Sequence, residues 1–210
     1  MGDASLISSR ETRKTLRQDM RARRRALDSA SRTGAAESLA ALLTTLPQYQ
    51  SARRLAAYVT VDGELDPEPL LRYAHRDGKQ IYLPVVPATH TAALRFHPWK
   101  PDMNMRPNRL GIPEPVVADT VGITPQDLDL VLTPLVAFDN AGHRLGMGGG
   151  FYDRTFAFLK AGANKPPLLG LAYEFQRLER IEAASWDVPL AGVITERRAY
   201  FFAATDGGKS

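Results

Sequence analysis

Four of the five positions from 146 to 150 are glycine, in the stretch HRLGMGGGFYDRTF (residues 143–156), and they lie between Arg144 and Asp153. In a regular element each glycine is worse than alanine by roughly 0.5–1 kcal/mol, so Gly146, Gly148, Gly149 and Gly150 would together cost about 2–4 kcal/mol if they only packed. Without Cβ atoms, successive backbone N–H groups can turn inward as an anion cradle, and a helix starting just beyond adds partial positive charge. Phosphate is the natural guest, with Arg144 as a charged partner. The stretch matches neither common nucleotide fingerprint. No Gly-Lys-Ser/Thr closes it, and Phe151 stands where a G-x-G-x-x-G begun at Gly146 needs glycine. A long flexible turn, in which Asp153 only favours the first turn of a helix, is the alternative that the loop leaves open.

A second group of candidates lies on a basic segment. Arg10, Arg13, Lys14, Arg17, Arg21, Arg23, Arg24 and Arg25 are offset only by Glu11 and Asp19, so this segment nets +6 while the whole chain nets +4. Leu16, Met20 and Leu27 form an apolar stripe, which predicts a helix. Arg13, Lys14 and Arg17, three or four apart, share a face that could meet phosphates. A solvated basic face is the other reading. A general polyanion binder would spread its charge more widely.

These groups need a scaffold. A second helix is predicted at about 34–46. RLAAYVTV reads as a buried strand, DPEPLLRYAHRDG as a proline-started helix ended by Gly78, and KQIYLPVV as the next strand. Residues 87–126 are proline-rich around one strand, ALRFHPW, and look like an excursion that could cover a site. DLDLVLTPLVAFD predicts a buried strand before the glycines, FYDRTFAFLK a helix after them, and PPLLGLAY, AGVITE and AYFFA short strands. The alternation predicts an α/β three-layer sandwich with a central, mostly parallel, Rossmann-like sheet preceded by N-terminal helices. Residues 1–210 are expected to form a single domain, with 1–9 and 205–210 flexible. Ligands of such sheets bind at the carboxyl ends of strands, so YVTVDGELD and the glycine segment should project from one edge, bringing Glu64 towards the glycines.

The absence of cysteine excludes disulfides, thiolate catalysis and a cysteine-held metal, and suits the cytoplasm. No run of eighteen apolar residues is present, so no membrane partner is expected. The histidines have no metal-ligand spacing and read as structural or surface residues.

RKTLRQDMRARRRAL, YVTVDGELDPEPLL, IYLPVV, LRFHPW, GIPEP, VLTPLVAFDNAGHRLGMGGGFYDRTF, LLGLAYEFQ and WDVPLAGVITE, in that order, resemble the 5-formyltetrahydrofolate cyclo-ligase family. The glycine segment, with FD before it and YDR after it, is the most specific part. The resemblance implies closure of 5-formyltetrahydrofolate to 5,10-methenyltetrahydrofolate, with ATP going to ADP and phosphate in the presence of Mg2+. It implies that Arg13, Lys14, Arg17, Arg144, Gly146, Gly148, Gly149 and Gly150 hold ATP phosphates, with Arg144 acting in catalysis. Asp153 and Asp187 would be magnesium ligands, and Glu64, Val59, Met147, Phe151 and Tyr152 would receive the folate. Lysine often stands at position 13 in the family, and Arg13 keeps its charge. The usual His-Asp-x-x-x-Asp is altered, because Trp186 replaces the histidine and Ala191 the second aspartate. Taken alone, Asp187 reads equally well as a turn residue. A monomer with a small-molecule substrate and no nucleic-acid partner is expected. The alternatives are an RNA binder using the basic helix and a nucleotide or folate binder without turnover.

Overall fold

The structure is a computed structural model that describes residues 10–87, 89, 92–116, 122–162 and 166–202; the tails expected to be flexible, 1–9 and 205–210, lie outside them. The chain runs α1 (Arg10–Ala26), α2 (Ser29–Thr44), α3 (Pro47–Ser51), β1 (Arg54–Ala56), α4 (Glu68–Arg76), β2 (Gln80–Val85) and β3 (Arg95–Trp99). It continues through β4 (Met105–Pro107), β5 (Pro113–Pro115), β6 (Leu130–Pro134), β7 (Ala137–Phe138) and β8 (Arg144–Leu145). It ends with α5 (Phe151–Thr155), β9 (Leu168–Leu171), β10 (Gly192–Ile194) and β11 (Ala199–Phe201).

One mixed sheet carries seven strands in the order β11-β10-β9-β6-β1-β2-β3. The five central strands are parallel, and the edge strands β3 and β11 run antiparallel to their neighbours. Leu130, Val131 and Leu132 are all buried, as expected for a parallel strand covered on both faces. Alternate residues enter separate cores. Leu55, Leu83, Leu132 and Leu169 face α2–α4, while Ala56, Tyr82, Val131 and Val193 pack with Phe96, Phe156, Val188 and Leu190. The expected α/β fold with N-terminal helices and a mostly parallel sheet is present. Its layers are unequal, since short turns and irregular chain accompany α5 on the second face.

Several element limits differ from the sequence reading. α2 begins at Ser29 rather than near 34, because the Asp28 carboxylate accepts the Ser31 N–H at 2.7 Å and caps it. β1 covers only part of RLAAYVTV, and the Tyr58 hydroxyl, donating to the Leu65 carbonyl, folds the following chain back on itself. The apolar run into AFD is split, with β6 ending at Pro134 and β7 pairing with β8 in a separate hairpin. Within that hairpin the buried Asp139 carboxylate accepts the N–H groups of Ala141, His143 and Ile181, which fixes the approach to Arg144. FYDRTFAFLK forms five residues of α-helix followed by a 3-10 turn over Ala157–Ala161, so the dipole expected at its start is small. The proline-rich excursion carries the β4–β5 hairpin, tied to the carboxyl end of β2 by the Val86 N–H donating to Glu114 at 2.6 Å.

Candidate functional site

β1 and β6 are hydrogen-bonded neighbours, with Leu55 opposite Leu130. From this pair the sheet extends to β2 on one side and to β9 on the other. Their carboxyl ends therefore open at the switch point, where an open α/β sheet binds ligands. The segment carrying Glu64 leaves β1 there, and the β7–β8 hairpin with the glycine segment leaves β6.

α1 lies against the glycine segment. Arg17 Nε donates to the Gly146 carbonyl at 2.8 Å, and a Cβ at Gly148 would stand 3.9 Å from the Arg17 Cζ. Burial, then the charge of Arg13, holds the Arg17 pKa below its usual value, while Asp187 acts in the opposite sense. Arg13 donates to the Glu182 carbonyl, and Lys14 is exposed beside it. The basic helix is therefore largely committed inward. Arg21, Arg24 and Arg25 all reach Asp62, and Arg23 lies 4.4 Å over the Phe175 ring.

Arg144 is buried at the end of the β7–β8 hairpin. Its Nη2 donates to Asp153 Oδ1 at 2.6 Å and its Nη1 to the Val188 carbonyl at 2.5 Å. Asp153 Oδ1 also accepts the Val188 N–H at 3.1 Å, so Asp153 meets the residue next to Asp187. Asp187 Oδ2 closes a turn by accepting the Ala184 N–H at 2.9 Å. Asp187 thus has the turn role open to it from sequence and also lies close enough to Arg17 to act on its charge. Among the described residues no three His, Cys, Asp or Glu side chains converge as a metal cage. Two carboxylates suit magnesium, which takes phosphate oxygens and water as its other ligands, better than a metal needing a full protein shell.

The glycines do different jobs. Gly150 has φ +63 and ends the loop in the left-handed region just before α5. A Cβ on Gly146 would have nothing within 4 Å of it, whereas one on Gly149 would meet Phe151 Cε2 at 2.9 Å. Both aromatics of α5 are half-buried against one core cluster. Arg154 lies 5.1 Å over the Phe151 ring, and Tyr152 stacks on Phe156 with centroids 6.2 Å apart. Met147 is exposed, and Val59 packs against the core on the α2–α4 face.

Glu64 is the buried carboxylate of the opposite wall. Val61 N–H donates to its Oε2 at 3.2 Å, and Arg24 Nη1 stands 3.9 Å from its Oε1. Burial outweighs Arg24 and pushes the Glu64 pKa up to about 7. Burial and the Glu64 charge in turn raise the pKa of the Tyr152 hydroxyl, which places Glu64 and α5 within electrostatic reach of each other. A groove of ≈ 490 Å3 runs past Glu64, lined also by Ser29, Arg32, Thr60, Asp62 and Asp66.

Sequence reasoning missed the Asp62–Arg24 pair at this wall. Asp62-Gly63 is a turn signal, and Arg24 falls on the helical phase of Leu16 and Met20, so a cation in an apolar stripe could have been noticed.

The fold defines an α/β protein that carries a glycine-rich segment, flanked by Arg17 and Arg144, at a sheet switch point. The 5-formyltetrahydrofolate cyclo-ligase family model matches residues 9–196. Similar proteins include the 5-formyltetrahydrofolate cyclo-ligase of Escherichia coli K12, 38% identical over 182 residues, 86% of this chain and 98% of that one. The enzyme of the same name from Haemophilus influenzae is 36% identical over 185 residues, 88% of this chain and 97% of its own. The NMR structure of Aquifex aeolicus 5,10-methenyltetrahydrofolate synthetase is similar with TM-score 0.76 and 29% identity, covering 94% of this chain and 95% of that one. The chain belongs to the 5-formyltetrahydrofolate cyclo-ligase family.

Proposed function

We propose that the crevice between the β1 and β6 loops holds ATP on its glycine wall and the folate on its Glu64 wall. As a member of its family the chain is a 5-formyltetrahydrofolate cyclo-ligase, forming 5,10-methenyltetrahydrofolate. The observation that carries the site assignment is the convergence of Arg17 on Gly146 and of Arg144 on Asp153 along one sheet edge.

A formyl amide oxygen is a poor leaving group. Its attack on the γ-phosphorus of ATP releases ADP and converts it into a phosphate ester. The neighbouring folate N–H nitrogen then attacks the activated carbon and gives up its proton, and phosphate departs with the former formyl oxygen as the methenyl bridge closes. This sequence asks for positioning and charge neutralisation rather than a covalent nucleophile. Arg13, Lys14 and Arg17 would approach the phosphates from α1, and Arg144 with the main chain of Gly146, Gly148, Gly149 and Gly150 from the loop. The Arg144 fork matches the developing charge on the transferred group. Asp153 and Asp187 would hold Mg2+, which when bound neutralises phosphate charge. Glu64 would accept hydrogen bonds from the donor-rich edge of the pterin, with Val59, Met147, Phe151 and Tyr152 packing on the ring system. Cytoplasmic placement fits the cysteine-free composition. No helix among the described residues is long and apolar enough to cross a membrane.

The test is to mix the protein with 5-formyltetrahydrofolate, ATP and Mg2+ and follow the near-ultraviolet band of the methenyl product. Growth of the band only in the complete mixture is the expected result. A band that grows equally without ATP, or in the presence of chelator, sinks the proposed use of ATP or Mg2+.

A further inference from the structure

Three cations from one helix meet a single carboxylate that has no part in the chemistry above. Arg21 Nε lies 2.5 Å and Arg24 Nη2 2.9 Å from Asp62 Oδ2, and Arg25 Nη1 lies 2.9 Å from Oδ1. Arg24 is fully buried, and its Nη1 also donates to the Leu135 carbonyl at 3.2 Å. Main chain meets main chain at the same place. Asp62 and Gly63 have φ +54 and +71, and a Cβ on Gly63 would stand 3.1 Å from the carbonyl carbon and oxygen of Arg24. One end of α1 is thus seated on the loop carrying Glu64. Two turns away, roughly 10 Å along the axis, Arg17 holds Gly146.

We propose that Asp62 is a positioning residue that clamps α1 across the crevice, so that Arg17 on the ATP wall and Glu64 on the folate wall are set by one rigid strut. The inference rests on the reading of Arg17 and Glu64 given under the proposed function. Its electrostatic part follows from the distances. Arg24 has two carboxylates in reach, Asp62 in contact and Glu64 at 3.9 Å. While Asp62 neutralises Arg24, the Glu64 carboxylate stays available to a substrate. With Asp62 neutral, Arg24 turns to Glu64 and competes with the substrate for it.

The test is Asp62→Asn, assayed for both substrates across pH. The clamp predicts that KM rises for ATP and for 5-formyltetrahydrofolate together, each by about tenfold, with a smaller change in kcat. It also predicts that the midpoint of the pH dependence of folate KM moves to lower pH. Arg24 and Arg21 from α1, Asp62 on the loop, and the hydroxyls of Tyr58 and Tyr152 are the groups acting on or coupled to Glu64. Of these Asp62 raises the Glu64 pKa and the two arginines lower it, so its neutralisation lets the arginines prevail.

A wild-type KM for either substrate overturns the proposal. So do KM values that return to wild type whenever the assay runs below the variant's melting temperature, because that is loss of stability alone. If Asp62→Asn does not fold, the double variant Arg21→Ala/Arg25→Ala removes two partners with solvent-exposed arms. It should raise both KM values in parallel, and unchanged values overturn the clamp. Glu64→Gln and Arg17→Ala serve as separate controls, expected to weaken folate alone and ATP alone. If those two fail, the wall assignments are wrong, a failure distinct from that of the clamp.

Discussion

The two loops that leave β1 and β6 stand on one sheet edge but are built in opposite ways. The β1 loop is fastened by side chains: Asp62 takes three arginines, Tyr58 bonds Leu65, and Gly63 is pressed on the backbone of α1. The glycine segment leaves main chain accessible, with open space at Gly146, and is held from its flanks by Arg17 and by Arg144 with Asp153. A flat heterocycle is best met by a wall whose polar groups are already fixed. A triphosphate is best met by accessible backbone N–H groups flanked by cations. The difference teaches that one crevice can be rigid on one side and receptive on the other.

The largest expected effect is on the receptive wall. Arg144→Ala should lower turnover by about 10²–10³-fold, the scale of losing a donor aimed at developing charge. It should also lower the melting temperature, because Asp153 and the Val188 carbonyl lose their partner. Steady-state kinetics beside thermal melts will separate the two, and unchanged turnover removes Arg144 from the site.

Next comes the buried carboxylate of the rigid wall. The Glu64 pKa is about 7 in the folded protein against an ordinary glutamate value of 4.5. The folded state therefore binds the extra proton between these values, so this contribution to stability is complete below 4.5 and is lost as pH rises through about 7. Its size is on the order of 3 kcal/mol. Urea melts at pH 5 and pH 8 should show Glu64→Gln gaining on the wild type at the higher pH, and parallel losses in both proteins would refute the assignment. Folate KM should fall with rising pH through about 7 in the wild type and lose that dependence in Glu64→Gln.

A pair of alanine substitutions sharpens the contrast between the walls. Gly63→Ala, at φ +71 against the Arg24 backbone, should cost about 1–3 kcal/mol of stability. Gly146→Ala enters open space, so its stability should stay within about 0.5 kcal/mol of wild type. It should nevertheless raise the KM for ATP by about tenfold, because the methyl group stands in the open space proposed for a phosphate while the N–H is kept. The same KM with both glycines replaced in turn would erase the distinction between the walls.

The smallest effect belongs to Trp186, which is 70% exposed. Trp186→Ala should change stability by no more than about 0.5 kcal/mol, read from denaturant midpoints.

The place of the glycine segment was legible because glycine clustering is costly and stands out, and the buried strand before it sets it at the carboxyl edge of the sheet. The position of Glu64 was legible through topology, since two strand-to-helix connections of a parallel sheet share an edge. The β7–β8 hairpin was hidden because Leu135–Phe138 prolongs the apolar run of β6, and only the turn made by Asp139 marks it as separate. The early start of α2 was hidden because Ser29–Thr33 carry no apolar phase, and the Asp28 cap sets the boundary. Arg24 is one of eight basic residues in the N-terminal run, and composition cannot show that one of them is fully buried.

The anchoring of α1 also dictates an order of events during synthesis. Arg24 reaches Leu135, 111 residues further on; Arg17 reaches Gly146, 129 on; and Arg13 reaches Glu182, 169 on. Ribosomes add roughly 5–20 residues per second, so this helix waits on the order of 10–30 s for its last partner to be made. During that interval Arg13 and Arg17 lack their acceptors, whereas Arg21, Arg24 and Arg25 can already meet Asp62, 41, 38 and 37 residues on. The wall proposed to hold the nucleotide is therefore completed late, after most of the chain has been translated.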